Sequence, residues 1–153
     1  MVDVVSSSKR SEMMSGIRGK DTRPELLIRH GLFKRGFRFR VHVSKLPGKP
    51  DIVLPKYKAV IFINGCFWHG HGCSLFKWPS TRVDFWRKKI GENTKHDADS
   101  LKALKVQKWR ILVIWECATK GKGKWPMERL LDMVENWILD GSEYYEIGEQ
   151  YAG

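Results

Sequence analysis

A chain of 153 residues, 42% of them hydrophobic, has room for one domain with a sizeable core, and no apolar run approaches membrane-spanning length. Lys and Arg number 28 against 17 Asp and Glu, a net charge of +11, which points to an anionic partner, nucleic acid ahead of a membrane surface. Three cysteines, an odd number, and a polar, basic start without a signal-peptide pattern argue against a secreted disulfide framework and for a reducing cytoplasm.

Residues 1–20 are rich in Ser, Lys and Arg, with Met13, Met14 and Ile17 as the apolar exceptions. They read as a basic arm or short helix that orders on a partner. Asp21 or Thr22 can cap a helix with Pro24 in its first turn. Leu26, Leu27, Ile28, Leu32 and Phe33 supply its core side, and Gly36 stops it. Residues 37–43 alternate strictly and predict a half-buried strand. After a turn over 46–50 come strands at 51–54 and 59–63, the second apolar throughout and therefore central. A loop over 65–73 follows. A helix runs from about 81 to 108, with Gly91 as a candidate break and an apolar stripe through Ile90, Ala98, Leu101 and Leu104. Residues 110–115 are a buried strand, 119–124 a basic loop, and 126–139 an amphipathic helix. The order α-β-β-β-α-β-α predicts a mixed sheet with helices on its faces. The chain divides into a basic arm (1–20), one domain (21–140) and a C-terminal tail (141–153).

Chemistry concentrates in the loop Gly65-Cys66-Phe67-Trp68-His69-Gly70-His71-Gly72-Cys73. With Cys117, the remaining cysteine, it offers three thiols and an imidazole, the donor set of a closed tetrahedral zinc site: Cys66, His71, Cys73 and Cys117. Buried free cysteines acting as small hydrophobes are the plain alternative, but a Gly-rich loop with two histidines is a poor place for them. Asp51, after Pro50 at a strand start, is a candidate Mg²⁺ ligand of the kind metal-dependent nucleases set against a scissile phosphate. Pro-Asp is also a common turn dipeptide, and the acid-x-Lys expected on the next strand is absent from Ile61-Phe62-Ile63. Any catalysis must therefore recruit other groups, with His69 and Glu25 the candidates. Trp86, Lys89, Asn93 and Asp97 fall on one side of the long helix. Such a set is not a core stripe; it is either a solvated face or, in so basic a chain, a DNA-contacting one. Seven Trp can fill a core or stack on bases.

Together, Gly65-Cys66-Phe67-Trp68-His69, the Leu46-Pro47-Gly48-Lys49-Pro50-Asp51 turn, Phe85-Trp86-x-x-Lys89-Ile90-x-x-Asn93 and Trp109 through Cys117 resemble the very short patch repair (Vsr) DNA mismatch endonucleases, over about residues 9 to 140. The resemblance implies an α/β, restriction-endonuclease-like fold of the PD-(D/E)xK type with one structural zinc. It also implies Mg²⁺-dependent nicking of one strand of double-stranded DNA, 5′ of the mispaired T in T:G mismatches left by deamination of 5-methylcytosine. By position, Asp51 and the Ile63 carbonyl would hold Mg²⁺, and Glu25 would support its waters. His69 would act as general base, oriented by Asp97. Phe67, Trp68 and Trp86 would form an aromatic wedge, Lys89 and Asn93 would read the mispaired bases, and Met14 and Ile17 would enter the minor groove. Cys66, His71, Cys73 and Cys117 match the zinc ligands. The residue before Gly65 is commonly His or Asp in this family; here it is Asn64, an amide that can bind a phosphate but cannot act as a base. The implied setting is a monomer at the nucleoid in a bacterial cytoplasm, with a MutL-type repair protein as candidate partner. The rival expectations are a restriction-type enzyme on matched DNA and a non-catalytic zinc DNA-binding module.

Overall fold

The computed structural model describes residues 22–150, so Met14 and Ile17 lie outside the described residues. Helix α1 (Arg23–Lys34) opens on Thr22, whose hydroxyl accepts from the Glu25 amide while Pro24 sits in the first turn. Its inward side is Glu25, Ile28 and Leu32, spaced three and four apart. Leu26, Leu27 and Phe33, expected in the core, are instead exposed, Phe33 to 56%. At 100° per residue they cannot share a face with Ile28 and Leu32, and one inward position is taken by an acid.

Five strands form one mixed sheet in the order β1-β2-β3-β4-β5: β1 (Arg40–Val41), β2 (Ile52–Leu54), β3 (Ala59–Asn64), β4 (Arg110–Trp115) and β5 (Tyr144–Ile147). The first three pair antiparallel; β3, β4 and β5 run parallel. β3 is central, as its unbroken apolar run predicts. The strand expected over 37–43 shrinks to β1, because His42 takes a left-handed φ of 57° that breaks the pleat. The predicted alternation survives outside the ladder, with Phe37 buried against Tyr57 and Arg38 exposed. β5 was not among the expected elements: only Ile147 of its four residues is buried, so it carries no alternating signal.

Between β3 and β4 runs α2 (Val83–Val106), 24 residues without a break at Gly91. Gly91 faces open space, so nothing there forces a kink. Ile90 and Leu104 of the expected stripe are buried, but Ala98 is exposed. Helix α3 (Met127–Asp140) buries Leu130, Leu131, Val134, Trp137 and Ile138. Helices α1 and α3 pack on one face of the sheet through Ile28, Leu32, Ile61, Leu112, Val134 and Ile138. α2 covers part of the other face, through Leu104 against Val60, Phe62 and Val113. A Cβ on Gly31 would run into Leu131, so the α1–α3 approach requires glycine there. Arg35 fastens the same pair, bonding Asp132 and Glu128 at 2.9 Å and Glu135 at 3.1 Å. Of the seven Trp, only Trp137 is a core residue.

Candidate active site

The ends of β2 and β3 set the first side chain. Asp51 enters β2 from buried Pro50, its amide donating to the Ile61 carbonyl at 3.0 Å. Its Oδ2 accepts from the Ile63 amide at 2.6 Å, so the carboxylate is fixed across two strands. Burial pushes the Asp51 carboxyl up to about 7; Glu25 adds to this, while the Ile63 amide, Arg29 and His69 oppose it. Glu25, 2% exposed, bonds Arg29 one helical turn on at 2.7 Å. Two carboxyl groups held close enough to repel, one of them kept partly protonated by its surroundings, form a donor set that suits a hard divalent cation.

His69 comes from the Cys loop and Asp97 from α2. They meet at Nδ1–Oδ2 2.5 Å, bridging the loop to the helix. A carboxylate on Nδ1 fixes the proton there and leaves Nε2 as the lone-pair nitrogen, the arrangement of a general base. Asp51, His69, Asp97, Glu25, Ile63 and Asn64 line one cavity of about 750 Å³.

The aromatics sit beside this cavity. Phe67, Trp68 and Trp86 form a mutually edge-on triad with centroids 5.2 to 5.8 Å apart, and Phe76 stacks on Phe67. Asn93 donates from Nδ2 to the Trp68 carbonyl at 2.9 Å, tying the loop to α2. Lys89, one turn before it, is exposed.

Below the loop, the donor atoms of Cys66, His71, Cys73 and Cys117 lie within 4.8 Å of one another. His71 Nδ1 stands 3.5 Å from the Cys66 sulfur and 3.7 Å from that of Cys117. Ligand bonds of about 2.0–2.3 Å would give tetrahedral edges of roughly this length, so the residues fit zinc. Burial raises the Cys66 and Cys117 thiols and lowers His71, so a metal would displace protons from the sulfurs and find the imidazole neutral. His71 stacks flat on Trp115 at 4.1 Å. Glu116 accepts from the Cys66 amide at 3.2 Å, and Glu149 takes both the amide and the hydroxyl of Ser74.

A family model described as DNA mismatch endonuclease Vsr matches residues 2–75, a span that holds Glu25, Asp51, His69 and three of the four clustered donors. The DNA mismatch endonuclease Vsr of Escherichia coli strain K12 is 44% identical over 150 residues, covering 98% of this chain and 96% of that protein. The chain belongs to the Vsr family. Two other relatives are named type II nicking enzymes. V.XorIIP of Xanthomonas oryzae is 43% identical over 80% of this chain and 90% of its own, and V.NmeAIP of Neisseria meningitidis is 45% identical over 80% and 87%.

Within this Vsr-family site the structure gathers Glu25, Asp51, Ile63, His69 and Asp97 around one cavity, the aromatic triad beside it and the four Cys/His donors beneath. Reading the sequence missed the residues that hold these groups. Asn93 was expected only as a base reader, and its bond to Trp68 has no sequence signal. Phe76 continues the aromatic density of the loop and could have been found by that pattern. Glu116 and Glu149 act across 50 and 75 residues, a separation that no local spacing reveals.

Proposed function

We propose that this endonuclease nicks one strand of double-stranded DNA on the 5′ side of the mispaired T in a T:G mismatch arising from 5-methylcytosine deamination, using Mg²⁺. The observation that carries the reading is the convergence of two assemblies on one cavity: the Asp51 carboxyl fixed by Ile63, and the His69–Asp97 pair. Asp51 and the Ile63 carbonyl are the groups that would hold Mg²⁺, and Glu25 would support its waters. Bound there, the ion would offset negative charge on the phosphate. His69 Nε2 takes the proton of the attacking water, and the Asp97 carboxylate stabilises the imidazolium that results. The new bond forms from the water oxygen to phosphorus as the bond to the 3′ oxygen breaks. The products are a 3′-hydroxyl and a 5′-phosphate.

Phe67, Trp68 and Trp86 serve as the wedge that enters beside the mispair. A mismatch lowers the unstacking cost of a few kcal/mol that such a wedge must offset. Asn93 holds the wedge through Trp68, and its side-chain oxygen remains available with Lys89 to read base edges. Cys66, His71, Cys73 and Cys117 bind a structural zinc that stiffens the loop. Met14 and Ile17 contact the minor groove. The protein works as a monomer in the cytoplasm, with a MutL-type protein as its repair partner; no helix among the described residues is long and apolar enough to cross a membrane. The test uses duplexes labelled on either strand and carrying T:G, T:A or other mispairs, with Mg²⁺ or EDTA. A single Mg²⁺-dependent nick in the T strand of the T:G duplex supports the reading. Cleavage of both strands of matched DNA would overturn it in favour of a restriction-type enzyme.

A further inference from the structure

The cavity that must receive a phosphate is acidic. Glu25, Asp51, Asp97, Glu116 and Glu146 line it, and among the described residues Lys49 is the one lysine or arginine that does. The imidazoles of His69 and His71 are engaged, one with Asp97 and the other in the Cys cluster, and Asn64 carries no charge. A phosphodiester entering such a site meets several carboxylates, and a permanent cation close to it strongly favours entry.

The backbone holds Lys49 there against its own preference. Its φ is +52°, in the left-handed region disfavoured for a residue with a Cβ, and it precedes proline, which biases a residue toward extended backbone. Gly48 beside it has a φ of +74°, and a Cβ there would lie 2.9 Å from the Ser100 Cβ and 3.2 Å from the Phe62 ring. The turn is therefore pressed between α2 and the sheet, and it fixes the position of Lys49 two residues before Asp51. Among the described residues the Lys49 ammonium has no hydrogen-bond or ion-pair partner. His42, Lys58, Arg82 and Lys108 share the left-handed φ, but of the lysines and arginine among these positions Lys49 is the one that lines the acidic cleft, beside Asp51.

We propose that Lys49 binds a non-bridging oxygen of the scissile phosphate, adding an unpaired side-chain cation to the charge that the metal ion would supply. The proposal rests on the nicking reading above, and it gives the strained turn before Asp51 a role in substrate positioning. Its test combines single-turnover nicking of a T:G duplex at saturating enzyme with affinity measured in Ca²⁺ for two duplexes, one normal and one bearing a neutral methylphosphonate at the scissile position. Lys49→Gln and Lys49→Gly should each nick at least tenfold more slowly, while Lys49→Arg stays within threefold of wild type. Lys49→Gly relieves the backbone and should melt no lower than wild type, which separates a lost charge from a lost fold. Lys49→Gln should lose affinity severalfold on the normal duplex and not on the methylphosphonate. Nicking within threefold of wild type by Lys49→Gly, or equal affinity losses on both duplexes, would overturn the proposal. A wild-type protein that nicks no mispaired duplex would overturn the nicking reading instead, and the affinity comparison would still decide the role of Lys49.

Discussion

At Asp51 the same burial that aims the carboxyl into the cavity also penalises its charge. Its folded pKa, about 7 against an ordinary 3.8, is raised. The stability it contributes is therefore full below about pH 4 and is lost as pH rises through about 7. In the absence of Mg²⁺, with zinc retained, Asp51→Asn should raise the melting temperature clearly at pH 8 and little at pH 4, read by a fluorescence melt. The same variant should lose nicking while T:G duplex affinity stays near wild type. Residual nicking at saturating Mg²⁺ would remove Asp51 from the metal site. The partner of His69 gives a second residue-scale outcome. Asp97→Asn offers an amide that can stabilise the wrong tautomer, so the single-turnover rate should fall by about 10²–10⁴ without loss of melting temperature.

Elements depend on contacts that single residues decide. Gly31 is where α1 meets Leu131 of α3, so Gly31→Val should destabilise the fold by about 1–3 kcal/mol in urea titration, from overpacking. The protein that remains folded should still nick. The Cys cluster makes a sharper prediction: one equivalent of zinc should copurify, and Cys117→Ser should lose it together with the order of residues 65–73, seen as faster proteolysis in that loop. A stable, active, zinc-free variant would end the assignment. How far the sequence discloses these elements follows from which forces are local. The run Arg110–Trp115 and the central β3 were legible because continuous apolar stretches leave few alternatives. The inward side of α1 was misread because Leu26, Leu27 and Phe33 were assigned by hydropathy without regard to their angle around the helix. β5 was invisible because an edge strand with one buried residue is held by its ladder to β4 and not by its own pattern. In the site, residue types and motif resemblance singled out Asp51, His69 and the four donors. The Asn93–Trp68 and Glu149–Ser74 bonds depend on tertiary approach and leave no local trace.

On the scale of the whole molecule, charge and aromatics divide the work of DNA binding in the proposed reading. The net +11 should drive binding to any duplex, with an affinity that falls steeply as salt rises, whereas the aromatic triad, as a wedge, should act only where a base step opens. Trp68→Ala and Trp86→Ala should each weaken binding to T:G DNA by about 1–3 kcal/mol and leave matched DNA and the salt slope nearly unchanged, by fluorescence anisotropy over a salt series. Equal losses on both duplexes would make these side chains packing residues.

The placement of β5 bears on when the loop over 65–73 becomes ordered. A Cβ on Gly148, just past this strand, would lie 3.6 Å from the His71 ring and 3.7 Å from the Cys117 sulfur, and Glu149 grips Ser74. The loop over 65–73 is thus braced by chain made long after it. During vectorial synthesis, Asp51 and His69 emerge from the ribosome well before the brace. A chain cut short before residues 144–149 would carry Asp51 and His69 without this brace, and its 65–73 loop should be cleaved faster by protease than that of the whole protein. Order at the loop thus comes with completion of the fold, because the last strand and the residues just past it supply the support.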